Sequence, residues 1–234
     1  MPNDSVYQDF AETSLGIKFN NISLLVTAFT HRSYLNEHKN TVMEHNERLE
    51  FLGDAVLELV TTEYLYTNFH DPEGILTNWR SALVRTESIG AAAARLGFEQ
   101  HLRLSRGEKR GTDRARAQIL ANSFEAVIGA IYIDQGYDVA KQFISNKLLV
   151  TFQEILSSGS WMDAKSHLQE IAQSKESFTP VYKVLNEDGP DHDKIFRVGV
   201  YIGGELKGEG SGPSKQAGQQ GAADAALKAY GVDD

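Results

Sequence analysis

Glu47, Glu50 and Asp54 fall within one narrow arc when Asn46-Glu47-Arg48-Leu49-Glu50-Phe51-Leu52-Gly53-Asp54-Ala55-Val56-Leu57 is wound at about 100° per residue; Leu49, Leu52, Val56, Leu59 and Val60 take the opposite side. Like charges three and four residues apart cost a helix a few tenths of a kcal/mol per pair, so the stripe calls for solvent or a cation. A solvated acidic face is the ordinary reading of such a pattern. Gly53 does not belong to that reading, because glycine in a helix interior costs ~1 kcal/mol against alanine. Beside Asp54 it would let another backbone or a ligand come close.

A second constellation lies in Ile119-Leu120-Ala121-Asn122-Ser123-Phe124-Glu125-Ala126, continuing to Asp134. Its apolar content, with Ala121, Ala126, Gly129 and Ala130, predicts a buried helix packed close to its neighbours. Asn122 and Glu125, three apart, would face the same way. Glu125 is the only acid between Ala117 and Ile133. An unpaired buried carboxylate is very costly, and facing this pair with Glu50 and Asp54 across a shared metal would satisfy it.

Glu47 to Leu57, ERLEFLGDAVL, closely resembles the signature of the bacterial ribonuclease III family, metal-dependent endonucleases of double-stranded RNA. The resemblance implies two helices that each contribute an acid pair. Glu50 and Asp54 match the first pair and Glu125 the second acid of the other, while Asn122 stands where most members have Asp. It further implies Asp54 and Glu125 as catalytic residues, Glu50, Asn122 and Glu125 as metal ligands, and Glu47 and Glu73 as supporting acids of the cleft. Glu73 could equally be a helix N-terminal charge favoured by the dipole. Phe51 matches an aromatic residue that inserts into a partner's pocket in a two-fold homodimer; an ordinary core aromatic is the alternative. Phe29-Thr30-His31-Arg32-Ser33-Tyr34 resembles a second family segment that orders the wall of the catalytic valley, with His31 structural.

The implied reaction is hydrolysis by metal-activated water, leaving 5′-phosphate and 3′-hydroxyl ends, in the processing of rRNA, mRNA and other structured transcripts. A phosphodiester is anionic, so attack on it needs a cation to neutralise developing charge and acidify the water. Oxygen ligands without sulfur or a histidine cluster favour Mg²⁺, with Mn²⁺ as a substitute. A di-iron carboxylate site would need Glu-x-x-His pairs, and no Glu here has His three residues on. The rival of another class is a non-cleaving double-stranded RNA-binding protein whose metal site Asn122 has impaired.

The chain of 234 residues, 41% of them hydrophobic, suffices for one large domain or two smaller ones. It has no cysteine, hence no disulfide framework or zinc-cysteine site, which fits a cytoplasmic location. No run approaches the ~20 apolar residues of a membrane span, and Met1 to Phe10 has no basic segment; membrane and secretory classes are excluded. The net charge of −9 opposes binding of a polyanion, but Arg103, Arg106, Lys109, Arg110, Arg114 and Arg116 concentrate in one stretch. That stretch is either a phosphate-contacting loop or a solvated surface segment.

Periodicity and stop signals predict helices over Val6–Leu15, Ile22–Phe29, the signature to about Asn68, Ile75–Leu96, the Asn122 segment, and Val139–Leu156. Residues 1–156 thus read as an all-α catalytic domain and 157–161, Ser-Ser-Gly-Ser-Trp, as a linker. Residues 162–231 change pattern. A helix over Met162–Ser174 precedes strands at Val181–Leu185, Ile195–Ile202 and Glu205–Gly210, with a polar loop over Asn186–Asp193, a Gly203-Gly204 hairpin, and a last helix from Ser214 to Tyr230. This α-β-β-β-α order, helices on one face of a three-stranded antiparallel sheet, is similar to the double-stranded RNA-binding domain. That resemblance implies RNA contacts by Gln169 and Glu170, by Pro190 and His192, and by Ser214 and Lys215. Gly218 and Gly221, where alanines are common, and the excess of twelve acidic over eight basic residues from 161 to 234, predict modest affinity.

Overall fold

The two longest helices, α4 (Glu47–Asn68) and α7 (Asp113–Gln135), cross at the heart of the N-terminal unit. In the computed structural model the described residues are 4–38, 44–158, 161, 164–190 and 194–231, and the chain divides into units 1–157 and 158–234. α7 is the central rod: Phe124 and every residue from Ala126 to Ile131 are buried, because apolar and small side chains run all round it. Phe10, Phe29, Phe98, Phe124 and Phe143 pack edge-on or tilted against one another beside it. Thr112 starts α7 by accepting the Ala115 N–H, and Gly136 at φ +85° ends it.

The remaining helices brace this crossing. α1 (Asp4–Phe10) runs into a π-helical turn, Ala11–Leu15, that Gly16 closes at φ +75°. α2 (Ile22–Ala28) begins where the Asn21 side chain accepts the Ser23 N–H. α3 (Arg32–Glu37) was not foreseen; it is six residues long, too short for periodicity to register.

The single helix expected over Ile75–Leu96 is two, α5 (Glu73–Val84) and α6 (Thr86–Arg95), meeting at extended Arg85 (φ −67°, ψ 153°). Ser88 donates to the Ala82 carbonyl at 2.6 Å and so satisfies an orphan acceptor of the last turn of α5. The change of direction lets α6 lie on α7 at Gly90, where a Cβ would come to 3.0 Å of the Ala117 carbonyl oxygen. The helix expected over Val139–Leu156 is likewise broken, into α8 (Tyr137–Lys147), a 3₁₀ turn and α9 (Phe152–Ser158). α9 therefore extends into residues 157–158 of the expected linker, while Gly159 and Ser160 lie outside the described residues.

In the second unit α10 (Ala164–Glu176) and α11 (Lys215–Ala229) pack with an antiparallel sheet of order β1-β2-β3. β1 is Val181–Asp188, β2 Ile195–Ile202 and β3 Glu205–Gly212. β1 and β3 are longer than expected. In β1 a bulge at Leu185 shifts the register from Val184↔Val198 to Asn186↔Arg197, which breaks the alternation that marks a strand in sequence. Gly203 and Gly204, at φ +59° and +90°, make the β2–β3 turn.

The core of this unit joins Leu168 and Ala172 to Val200, Ile202, Ala222, Ala223 and Ala226. Gly218, noted above as standing where alanines are common, proves to be a packing residue. A Cβ on it would lie 2.7 Å from Val198 Cγ2, and one on Gly210 would lie 2.2 Å from the Ala222 nitrogen.

Candidate active site

At the crossing of α4 and α7 no side chain fits between the backbones. A Cβ on Gly53 would sit 1.7 Å from the carbonyl oxygen of Glu125, and a Cβ on Gly129 would sit 2.2 Å from that of Leu49. The glycine beside Asp54 thus admits a backbone, that of the residue which carries the half-buried acid. Glu50 and Asp54, one turn apart on α4, are brought to Asn122 and Glu125, one turn apart on α7.

The electrostatics report that closeness. Partial burial, then Asp54, then Glu50 push the Glu125 carboxyl up from the ordinary 4.5 to about 7. Partial burial, then Glu47 and Asp54, raise Glu50, against a hydrogen bond from Asn122 that favours its charged form. Their neighbouring acids therefore disfavour the charge of Glu50 and of Glu125, the condition that an added cation relieves. The acids do not form a ready-made cage: among the described residues no three acid or histidine side chains already stand in ion-holding geometry. The donor set is all oxygen, three carboxylates and an amide, which suits a hard divalent cation and not a soft one. Asn122 spends one lone pair of its oxygen on Gln118, whose Nε2 donates to it at 2.7 Å. Sequence reasoning passed over Gln118, although its place one turn before Asn122 on the same stripe was the available signal.

The two supporting acids part company. Glu47 borders the cluster, acting on Glu50, and is held 3.5 Å from Arg32 with His45 Nδ1 at 3.8 Å. Glu73 is not brought to the cluster within one chain. It begins α5 and lines a separate cavity with Thr62, Leu65, Tyr66 and Arg80, in the far half of α4. Eight residues of helix, about 12 Å of rise, separate Thr62 from Asp54.

The Phe29–Tyr34 segment fixes a loop. His31 caps α3 by accepting the Ser33 N–H, and partial burial lowers its pKa. Ser33 then accepts the Ser105 N–H at 3.1 Å, and the Glu37 carboxylate accepts that of Arg106 at 3.2 Å. The basic stretch is accordingly split. Arg103 turns inward, donating to Thr30 and Tyr34 with its guanidinium 4.3 Å from the Tyr34 ring centroid, and Arg116 pairs with Glu99 at 3.0 Å. Arg106, Lys109, Arg110, Arg114 and Arg116 are exposed, so five of the six face outward, Arg116 with its charge already met by Glu99.

Phe51 is 81% exposed, far from the ordinary core aromatic of the alternative reading. It borders a cavity of about 600 Å³ whose lining includes Leu24, Thr27, Leu52 and Ile133.

In the second unit Gln169 and Glu170 line a shallow polar groove on α10 with Ser166 and Gln173. Pro190 is exposed, and His192 lies outside the described residues. Ser214 caps α11 by accepting the Ala217 N–H. Lys215 is 3.2 Å from Glu187 and over the Phe196 ring, so it would have to leave an acid to reach a phosphate.

A ribonuclease-III-like family model matches residues 21–152, and a double-stranded RNA binding motif matches residues 164–230. Ribonuclease 3 of Enterococcus faecalis is 45% identical over 217 residues, covering 91% of this chain and 93% of its own length. That of Desulforamulus reducens is 44% identical over 213 residues, 91% of this chain and 87% of its own. The nuclease domain of ribonuclease III from Campylobacter jejuni, a structure concerned with flexibility in its dimer-forming region, superposes with TM-score 0.53 at 37% identity, covering 59% of this chain and 96% of that domain. Among the described residues no helix is long and apolar enough to cross a membrane.

Proposed function

Because the chain belongs to the ribonuclease III family, with a nuclease domain followed by a double-stranded RNA-binding domain, we propose that it hydrolyses phosphodiester bonds of double-stranded RNA with a Mg²⁺-activated water, leaving 5′-phosphate and 3′-hydroxyl ends. The observation that carries this reading is the glycine-to-backbone crossing of α4 and α7, which groups Glu50, Asp54 and Glu125 with Asn122 in a half-buried setting. Glu50, Asn122 and Glu125 are the residues that would hold the ion, with Mn²⁺ as a substitute. The bound cation supplies charge neutralisation at the scissile phosphate and a more acidic water. Glu125, whose carboxyl is pushed up to about 7, is only partly ionised near neutral pH, and a shared cation would draw out its full charge. Asp54, more exposed than Glu125 on the same crossing, would accept a hydrogen bond from the attacking water and aim it. Glu47 would shape the potential at the cluster's edge.

The exposed Arg106, Lys109, Arg110 and Arg114 would bind backbone phosphates, and the second unit would add contacts through Gln169, Glu170, Pro190, His192, Ser214 and Lys215. Phe51 and its neighbouring cavity support a homodimer in which each Phe51 fills the partner's cavity. That assembly could also bring one chain's Glu73 to the other's cleft. Processing of rRNA, mRNA and other structured transcripts in the cytoplasm is the corresponding role.

The test is incubation of a long RNA duplex with the full chain and Mg²⁺, with and without a chelator. Fragmentation abolished by the chelator supports the enzyme. Tight binding with no fragments would leave the non-cleaving RNA-binding protein as the reading.

A further inference from the structure

Asn122 neighbours Glu50 and favours its charged form, and the donor that an asparagine side chain can offer a carboxylate is Nδ2. Its Oδ1 meanwhile accepts from Gln118 Nε2 at 2.7 Å. Gln118 stands one turn earlier on α7, with Thr86 Oγ1 on α6 at 3.5 Å from its own carbonyl oxygen. Turning the Asn122 amide over would set NH₂ against NH₂ at Gln118 and a carbonyl against the carboxylate of Glu50, exchanging two attractive contacts for two repulsive ones.

We propose that Gln118 is a positioning residue for the active site: it fixes the Asn122 amide as a donor to Glu50 and thereby holds the Glu50 carboxylate toward the cation. The proposal rests on the reading of these acids as a divalent-cation site and goes beyond it in naming what organises them. A carboxylate at position 122 would need no such partner, because its two oxygens are alike and it has no orientation to lose; an amide does need one.

That difference supplies the test. Mn²⁺ binding to the full chain is measured without RNA by electron paramagnetic resonance, beside a Mg²⁺ titration of cleavage. Loss of an orienting partner of a metal site typically weakens metal affinity by about 10-fold or more, so Gln118→Ala should raise the Mn²⁺ dissociation constant by about that factor. The Mg²⁺ concentration for half-maximal cleavage should rise with it. In an Asn122→Asp background the same substitution should change the constant less than about twofold, because the two residues would no longer be coupled. An equal loss in both backgrounds would assign Gln118 a merely structural role and overturn the proposal. No loss in the Asn122 chain would overturn it as well. A wild-type chain that binds no Mn²⁺ would remove the cation site and this proposal together, an outcome distinct from either of those.

Discussion

Glu125→Gln should stabilise the cation-free protein above neutral pH while abolishing its cleavage. The Glu125 carboxyl rises from 4.5 to about 7 on folding, so the folded chain binds its proton more tightly than the unfolded chain does. The resulting penalty is absent below 4.5, grows between 4.5 and 7, and is fully present above 7. At ~1.4 kcal/mol per tenfold in proton affinity the ceiling is about 3 kcal/mol, and screening of a half-buried group brings it to about 1–2 kcal/mol. For a unit of this size that is a rise of about 3–6 °C in Tm. Thermal melts in chelator at pH 5 and pH 8 read it directly: a small part of the gain at the lower pH and the full gain at the higher. Millimolar Mg²⁺ should then raise the Tm of the wild type more than that of the variant, because binding to the folded state alone adds stability by mass action. Equal melting of the two proteins at pH 8 would refute the claim that Glu125 is held ionised at a cost.

The other expectations are briefer. Asn122→Asp should lower, and Asn122→Ala raise, the Mg²⁺ concentration for half-maximal cleavage, each by about tenfold for one partly solvated group; an Asn122→Asp curve shifted to higher Mg²⁺ would show that an added charge crowds the cluster instead. Deleting the residues after Ser160 should weaken RNA binding at moderate salt yet spare cleavage at low salt, where Arg106, Lys109, Arg110 and Arg114 can hold a duplex; duplex cleavage across a salt series measures it. Phe51→Ala should shift the chain toward monomer in analytical ultracentrifugation without lowering the stability of the unit by more than about 1 kcal/mol, since the ring is exposed. Gly53→Ala puts a methyl 1.7 Å from the Glu125 carbonyl oxygen and should lower stability by about 3 kcal/mol or more in a denaturant titration.

Much of the fold was legible because its signals are local. The cap at Asn21, the cap at Ser214, the stop at Gly16 and the Gly203-Gly204 turn all act within a few residues of where they stand. What escaped depends on distant partners. Arg85 interrupts a helical period because α6 must lie on α7 at Gly90, and nothing near Arg85 in the chain records that demand. The Leu185 bulge hides a strand by breaking its alternation, and Gly218 reads as a poor helix residue until β2 is seen against it. Of the basic stretch, sequence supplied the charges but not their directions, since Arg103 is claimed by Tyr34 and Arg116 by Glu99.

At the site, the acids and the place of Asn122 were legible, while Gln118 and the direction of the Asn122 amide were not, for a physical reason. Three carboxylates on one stripe of α4 and a single one on an apolar helix are anomalies of charge, visible in a chain before it folds. Gly53 is an anomaly of propensity, and its resolution ties packing to chemistry: the residue that lets α7 approach is neighbour to Asp54, and the oxygen it would collide with belongs to Glu125. Separating the helices to admit a side chain there would therefore also separate the acids. Gln118 and Asn122 are neutral, common on helix surfaces, and significant only through the direction in which each amide points. A sequence specifies the presence of such groups, but their polarity is decided by a partner at each end, here Glu50 on one helix and Gln118 on the other. Replacing a charge with an amide thus exchanges a requirement for neutralisation, met by any nearby cation, for a requirement of orientation, met only by a correctly placed donor.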